Sequence, residues 1–148
     1  PDGVFFANDY FGPNYMQWTE AQLSTMNAIL ACLPDEMNVV SHKQDRVVRE
    51  IQRIPLEIFE RVDPSEGVRA SEILGVMENH LEIEQLVPFG QTVVYELLRG
   101  RIQNFDDDDP KDSTILKLIC LIEKLMMDAG VIGSDFNLVI ARRKDQAG

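Results

Sequence analysis

The chain has 148 residues, of which 45% are hydrophobic and 26% charged, a composition typical of one globular domain rather than of disorder. Its 25 acidic and 14 basic residues give a net charge of −11, which repels nucleic-acid phosphates and anionic membrane surfaces. No apolar stretch approaches the roughly 18 residues of a membrane span, and the first residues lack the pattern of a signal peptide. We therefore expect a cytoplasmic protein that binds neither nucleic acid nor membrane.

The first predicted element is a buried strand over residues 4–10, where β-branched and aromatic side chains follow a tight turn at residues 1–3. A strand of this kind normally joins a sheet that already exists. We therefore expect it to pair with strands from another chain or from a removed segment. This interpretation makes the residues the second half of a domain.

The next element is a helix that begins with the capping box Thr19 to Gln22. Its apolar residues recur at helical spacing, and Pro34 ends it. We expect this helix to cover one face of a sheet. Its apolar stripe comprises Leu23, Met26, Leu30 and Leu33.

The segment from residue 38 to 61 has a weaker pattern, with a helix-like stretch at 45–51 and a short amphipathic turn at 56–59. On a helix, four basic residues would form one stripe that could dock an anionic ligand. A solvated face neutralised by neighbouring acids is the favoured alternative. The four residues are His42, Arg46, Arg49 and Arg53.

Residues 63–66, Asp-Pro-Ser-Glu, are predicted to be a helix entrance, and a helical segment is predicted to run on from Ser71 to His80. A half-exposed strand at 81–87 near a sheet edge follows. Residues 90–105 are assigned to a helix interrupted at Gly100, with a strand at 92–95 as the alternative.

The longest helix is predicted to start at Asp112 and to end at Gly130, with an apolar face from Ile115 to Met126. The final strand is predicted over residues 136–141. The acids at 106–109 lack the spacing of a calcium loop and are expected to cap the longest helix.

The two cysteines, Cys32 and Cys120, fall within helical patterns without further metal-ligating residues at suitable spacing. We therefore expect buried, reduced thiols and no metal site. The sequence also lacks the motifs of a nucleophilic hydrolase, the phosphate-binding loop and the dinucleotide glycine fingerprint.

The best pocket candidate lies at the end of the first strand, where Asn8, Asp9 and Tyr10 meet the aromatic residues Tyr15 and Trp18. In α/β sheets, ligands bind beyond the carboxyl ends of strands. An equal alternative is that these rings pack the following helix onto the sheet.

Three stretches carry a resemblance to one family: residues 1–19, residues 63–73, and the strand pair 81–87 with 133–142. They are similar to the C-terminal half of a class I S-adenosylmethionine-dependent methyltransferase. The resemblance implies an α/β fold containing strands five to seven of a Rossmann-like sheet, with the last pair antiparallel and covering helices. It also implies a single partial domain over residues 1–148.

Within that partial domain the resemblance divides the chain into three parts. Residues 1–37 form a strand plus a helix, residues 38–80 form a lid-like helical segment on the acceptor side, and residues 81–148 form the closing strands and helices. The cofactor S-adenosylmethionine is expected to bind mostly to a missing N-terminal half. The chain alone is therefore expected to be inactive and to contain no cofactor-binding residue.

The resemblance further implies that this half binds a small-molecule methyl acceptor. Asn8, Tyr10, Tyr15 and Trp18 would shape the pocket, and Arg69 would anchor an acidic group. Asp9 is the candidate base, which methyl transfer needs only when the nucleophile is protonated.

Two other interpretations stay open. The chain could be a non-enzymatic α/β interaction or dimerisation module, or a degenerate subunit that partners an active methyltransferase. Because unpaired strand edges recruit partners, we expect a homodimer or pairing with the missing half.

Overall fold

The computed structural model describes residues 3–43 and 45–144, so the predicted turn at residues 1–3 lies largely outside the described part. The strands are β1 (Val4–Tyr10), β2 (Val39–Val40), β3 (Arg46–Val47), β4 (Leu81–Gly90) and β5 (Phe136–Arg143). The helices are α1 (Glu20–Cys32), α2 (Leu56–Val62), α3 (Ile73–His80), α4 (Val94–Leu98) and α5 (Pro110–Asp128). The chain is thus of mixed α/β class.

The described residues divide into two compact units. The sheet unit comprises residues 3–17, 54–90 and 134–144, and the helical unit comprises residues 18–53 and 91–133. Among the described helices, none combines the length and the apolar character that crossing a bilayer requires.

The sheet unit contains a three-stranded sheet in the order β1-β5-β4, with β5 antiparallel to both neighbours. The predicted strands at both ends of the chain are confirmed, as is the antiparallel pairing of β4 with β5. Met77 of α3 packs on Val139 and Ala141 of β5, so the core of this unit lies between α3 and one face of the sheet. Because β5 runs opposite to both outer strands, β1 and β4 point in the same direction.

The prediction that the first strand is buried is wrong. Val4 is 55% exposed and Phe6 is 61% exposed, and Phe5 is also exposed. The physical reason is position, since among the described residues β1 has a strand neighbour on one side only. A hydrophobic strand therefore forms an open edge of the sheet.

The helical unit confirms the predicted first helix. The Thr19 hydroxyl accepts a hydrogen bond from the Gln22 amide at 3.2 Å, and the Gln22 side chain accepts one from the Thr19 amide at 2.6 Å. Two exposed amides are thereby satisfied where α1 begins. Met26 and Leu30 are fully buried as the apolar stripe requires.

The helix predicted over residues 45–51 is wrong. This segment is extended, and β3 pairs with β2 through Val39 and Val47. Asp45 adopts a positive φ of 56°, which reverses the chain instead of continuing a helix.

The basic stripe therefore does not form. Arg49 pairs with Asp35, and Arg53 donates to Glu20 at 2.7 Å, so the two arginines have separate acidic partners. The side chain of His42 lies outside the described part.

The longest helix begins at Pro110, two residues before the predicted start, because Asp109 caps it by accepting from the Lys111 amide at 2.8 Å. The expected capping role of the acidic loop is confirmed at Asp109. Its predicted apolar face is only partly buried, since Ile119 is buried while Leu118 is 51% exposed.

Two further expectations concern this unit. Residues 94–98 are helical, so the alternative strand at 92–95 is wrong. Cys32 and Cys120 are both exposed, so the prediction of buried thiols is also wrong. Helical spacing identified the helices of these cysteines but not the face on which each cysteine lies.

Candidate functional site

A cavity of about 280 Å³ lies in the sheet unit at the carboxyl end of β1. It is formed by two segments that are distant in sequence, the end of β1 and the turns and first helical residues at 65–73. The lining residues are Asp9, Tyr10, Ser65, Glu66, Gly67, Val68, Arg69, Ala70 and Ile73. Beyond the carboxyl end of a strand is where α/β sheets place ligands.

The loop after β1 is held by close packing at Gly12. A Cβ atom at this position would lie 2.6 Å from the Asp135 carboxyl carbon and 2.7 Å from the Tyr10 ring. The Phe11 amide donates to the Asp135 carbonyl at 2.6 Å, and the Tyr10 hydroxyl donates to the Pro13 carbonyl at 2.8 Å. Glycine is therefore required here, and the loop turns tightly over the Tyr10 side chain.

The same loop carries backbone strain. Tyr15 and Met16 have positive φ values of 54° and 52°, a conformation that costs free energy for residues other than glycine. The Tyr15 amide donates to the Gly67 carbonyl at 2.8 Å, and the Gln17 side chain donates to the Ile54 carbonyl at 2.8 Å. The bond to Gly67 fixes the strained turn against the other wall of the cavity, and the bond to Ile54 fixes it against the chain just before α2.

Side chains add two further contacts to this loop. The side-chain carbonyl oxygen of Asn14 accepts from the Ser71 amide at 3.1 Å and from its hydroxyl at 2.9 Å, which joins the loop to the other wall. The rings of Tyr15 and Phe59 lie 5.7 Å apart between centroids, which packs the loop against α2. The hydrogen bonds between the loop and the other wall favour a preformed cavity.

Among the charged residues that line the cavity, Arg69 forms an ion pair and Asp9 forms none within the described part of the chain. Arg69 donates through Nε to Glu72 at 3.1 Å, and its second nitrogen binds the other carboxylate oxygen. These hydrogen bonds raise the pKa of Arg69 and lower that of Glu72. Asp9 accepts only from the neighbouring Tyr10 amide, at 2.7 Å, among its hydrogen bonds in the described residues.

The Tyr10 phenol is neutral at physiological pH. Burial raises its pKa well above the ordinary value of 10.0, and the negative charge of Asp135 raises it further. With its proton engaged by Pro13, this hydroxyl forms part of the wall and is not an available base.

Of the residues expected to form the site, the structure places Asp9, Tyr10 and Arg69 around one cavity. Asn8 is exposed on β1 opposite Leu138 and does not line this cavity. Tyr15 braces the loop through its amide and ring. Trp18 belongs to the helical unit, where it is only 2% exposed. The role of each in substrate binding stays a prediction.

Sequence reasoning missed the other wall of the cavity, formed by Ser65, Glu66 and Val68. We predicted a helix entrance at 63–66, but the segment forms turns, and Asp63 accepts from the Ser65 amide at 3.0 Å. Gly67 has a φ of +62°, which ends any helical path at this point. The signal was present in the order Asp-Pro-Ser-Glu-Gly, which is typical of turns.

The two glycines beside the cavity serve the backbone of the chain itself. A Cβ atom at Gly12 would meet the Tyr10 ring and Asp135, and Gly67 has a φ of +62°, which favours glycine. No group of three or more potential metal ligands occurs among the described side chains.

Comparisons with protein-family models, with curated protein sequences and with solved structures find no significant match to this chain.

Proposed function

We propose that these residues form the C-terminal, acceptor-binding portion of an S-adenosylmethionine-dependent methyltransferase that acts on a small molecule. The observation that carries the proposal is the cavity at the carboxyl end of β1, which brings Asp9, Tyr10 and Arg69 together. In the resemblance described above, this end of the fifth strand and the segment after it line the acceptor side of the cleft.

The sheet supports the same proposal. The resemblance assigns β1 to the fifth strand and assigns β4 and β5 to a closing antiparallel pair, and β4 and β5 pair in this way. The free edge of β1, with exposed Val4 and Phe6, is available for a parallel neighbour from an N-terminal half.

The division of labour follows from the resemblance. The chain supplies a braced cavity with carboxylates, and its sequence lacks the glycine-rich loop that holds the cofactor in that family. S-adenosylmethionine, which would supply an electrophilic methyl group when bound, is therefore assigned to residues outside this chain. The contribution of this chain is to bind and orient the acceptor.

The test is the coding sequence upstream of Pro1. A predicted strand followed by Gly-x-Gly-x-Gly supports the methyltransferase. A start codon directly before the codon of Pro1 contradicts it, and an upstream region without these glycines favours a degenerate subunit.

A second candidate is a non-enzymatic dimerisation module, which is favoured by two exposed apolar features. One is the edge of β1, and the other is an apolar groove of about 560 Å³ between α1 and α5 in the helical unit. Light scattering discriminates the candidates when Phe6→Lys is compared with the native chain. A native dimer that this change dissociates, without cofactor chemistry in the full gene product, favours the module.

The expectation of a cytoplasmic location stays a prediction.

A further inference from the structure

The cavity at the end of β1 contains one cationic side chain, and that side chain is already paired. Arg69 donates to both carboxylate oxygens of Glu72. A two-point guanidinium–carboxylate pair is geometrically specific, so an anionic ligand must displace Glu72 before it can use Arg69. Glu72 therefore competes for Arg69 with the acidic ligand group that the sequence analysis expects Arg69 to bind.

Two carboxylates of the cavity have no such partner. Asp9 and Glu66 both line it, and the ion pairs recorded among the described residues include neither of them. Since Arg69 and Glu72 cancel, the lining has a net charge of about −2 at neutral pH. The rest of the chain adds to this negative field, with a total net charge of −11.

The remaining lining sets the size and shape of a ligand. Val68, Ala70 and Ile73 provide an apolar wall beside the carboxylates. The volume of about 280 Å³ lies just below the range for drug-sized ligands, roughly 300–1,000 Å³, so the ligand is small. Tyr10 presents no negative charge, because its phenol is neutral and its proton is bound to the Pro13 carbonyl.

We propose that this cavity binds a small aliphatic amine in its ammonium form, with Asp9 and Glu66 facing the cation and Val68, Ala70 and Ile73 facing the hydrocarbon. The identification of this amine as the methyl acceptor rests on the proposed function. The binding site itself does not depend on methyl transfer.

The test is an NMR titration of the ¹⁵N-labelled chain with three ligands of matched size: butylammonium, 1-butanol and butyrate. We expect butylammonium to shift the amides of residues 65–70 and to bind about tenfold more tightly than 1-butanol, because two partly screened charge contacts are gained. Butyrate is expected to bind more weakly than the alcohol. Added salt should weaken only the binding of the ammonium ion.

Variants separate the cavity from the general charge of the chain. We expect Asp9→Asn combined with Glu66→Gln to reduce butylammonium affinity about tenfold. The control is Glu57→Gln combined with Glu60→Gln, which changes the net charge equally at two exposed residues of α2 outside the cavity lining. The control should stay within about twofold of the native affinity. The variant spectra also report whether each chain is folded.

A second variant, Glu72→Gln, releases Arg69. We expect it to improve butyrate binding, because the guanidinium becomes available to an anion. The proposal is overturned if butyrate equals butylammonium in the native chain, if no ligand shifts residues 65–70, or if the control variant loses affinity equally. Amine binding without methyl transfer by the full gene product would instead contradict the proposed function alone.

Discussion

Replacing Glu123 of α5 tests the packing of the helical unit most sharply. Its carboxylate accepts hydrogen bonds from four consecutive backbone amides: Gln91 at 3.0 Å, Thr92 at 2.9 Å, Val93 at 2.6 Å and Val94 at 2.9 Å. Glu123 is 6% exposed, and Thr92 and Val93 are more deeply buried. The side chain thus satisfies amides just before and at the start of α4, where no helical carbonyl can reach them.

Glu123→Gln keeps the shape but replaces one acceptor oxygen by an NH₂ donor and removes the charge. One hydrogen bond to a charged acceptor is lost, at about 1.5 kcal/mol, and three become neutral, at a further loss of about 0.5 kcal/mol each. The expected loss in the free energy of unfolding is therefore about 3 kcal/mol, a large share of the 5–15 kcal/mol typical of a domain.

The assay is urea unfolding followed by circular dichroism, together with hydrogen exchange at the Thr92 and Val93 amides. The matched control is Asp128→Asn on the same helix, which removes an exposed pair with Lys124 and should cost about 0.5 kcal/mol or less. A Glu123→Gln chain whose free energy of unfolding lies within 1 kcal/mol of this control, or whose two amides exchange at the native rate, would show that the Glu123 carboxylate does not stabilise the start of α4.

Three further predictions concern other parts of the chain. In the same urea assay, Gly12→Ala should destabilise the chain by about 1–3 kcal/mol, because the added methyl group meets the Tyr10 ring and Asp135. Gly75→Ala in α3 is the control, since its methyl group meets no atom within 4 Å and should stabilise the chain by up to about 1 kcal/mol. Because the folded-state pKa of Tyr10 is raised, its contribution to stability should be complete below pH 10.0 and decline above it. The free energy of unfolding should therefore fall more steeply with alkaline pH in the native chain than in Tyr10→Phe, and parallel curves would contradict this. Both cysteines should react with a thiol reagent in the folded chain, and protection of either until denaturant is added would contradict their exposure.

Patterns of neighbouring residues in the sequence correctly predicted the helices and strands that depend mainly on those residues. The capping box at Thr19 and Gln22 located the start of α1, and runs of apolar, β-branched and aromatic residues located β1 and β5. Each of these patterns acts over a few residues, so the sequence contains all of its information.

Features that depend on tertiary partners were less predictable. Arg46 and Val47 lie in a short strand because they pair with β2. The spacing of Arg46 to the other basic residues suits a helix equally well. The exposure of Phe6 depends on which side of β1 has a neighbour, and the role of Glu123 depends on amides about 30 residues away. No local pattern contains this information.

The sequence predicted one of the two walls of the candidate site. Placement beyond a strand end identified Asp9 and Tyr10, and the resemblance suggested Arg69. The pairing of Arg69 with Glu72, three residues away, was not considered in the sequence-based prediction. The wall at 65–68 was missed because a helix entrance was predicted at 63–66, where the chain forms turns.

Calorimetric titration with S-adenosylmethionine, on this chain and on the product of its complete gene, tests whether acceptor binding and cofactor binding belong to different parts of the enzyme. We expect binding by the complete product and no tight binding by the chain alone. A dissociation constant below about 1 µM for the isolated chain, or no binding by the full product, would contradict the assignment of acceptor binding to these residues and of cofactor binding to others.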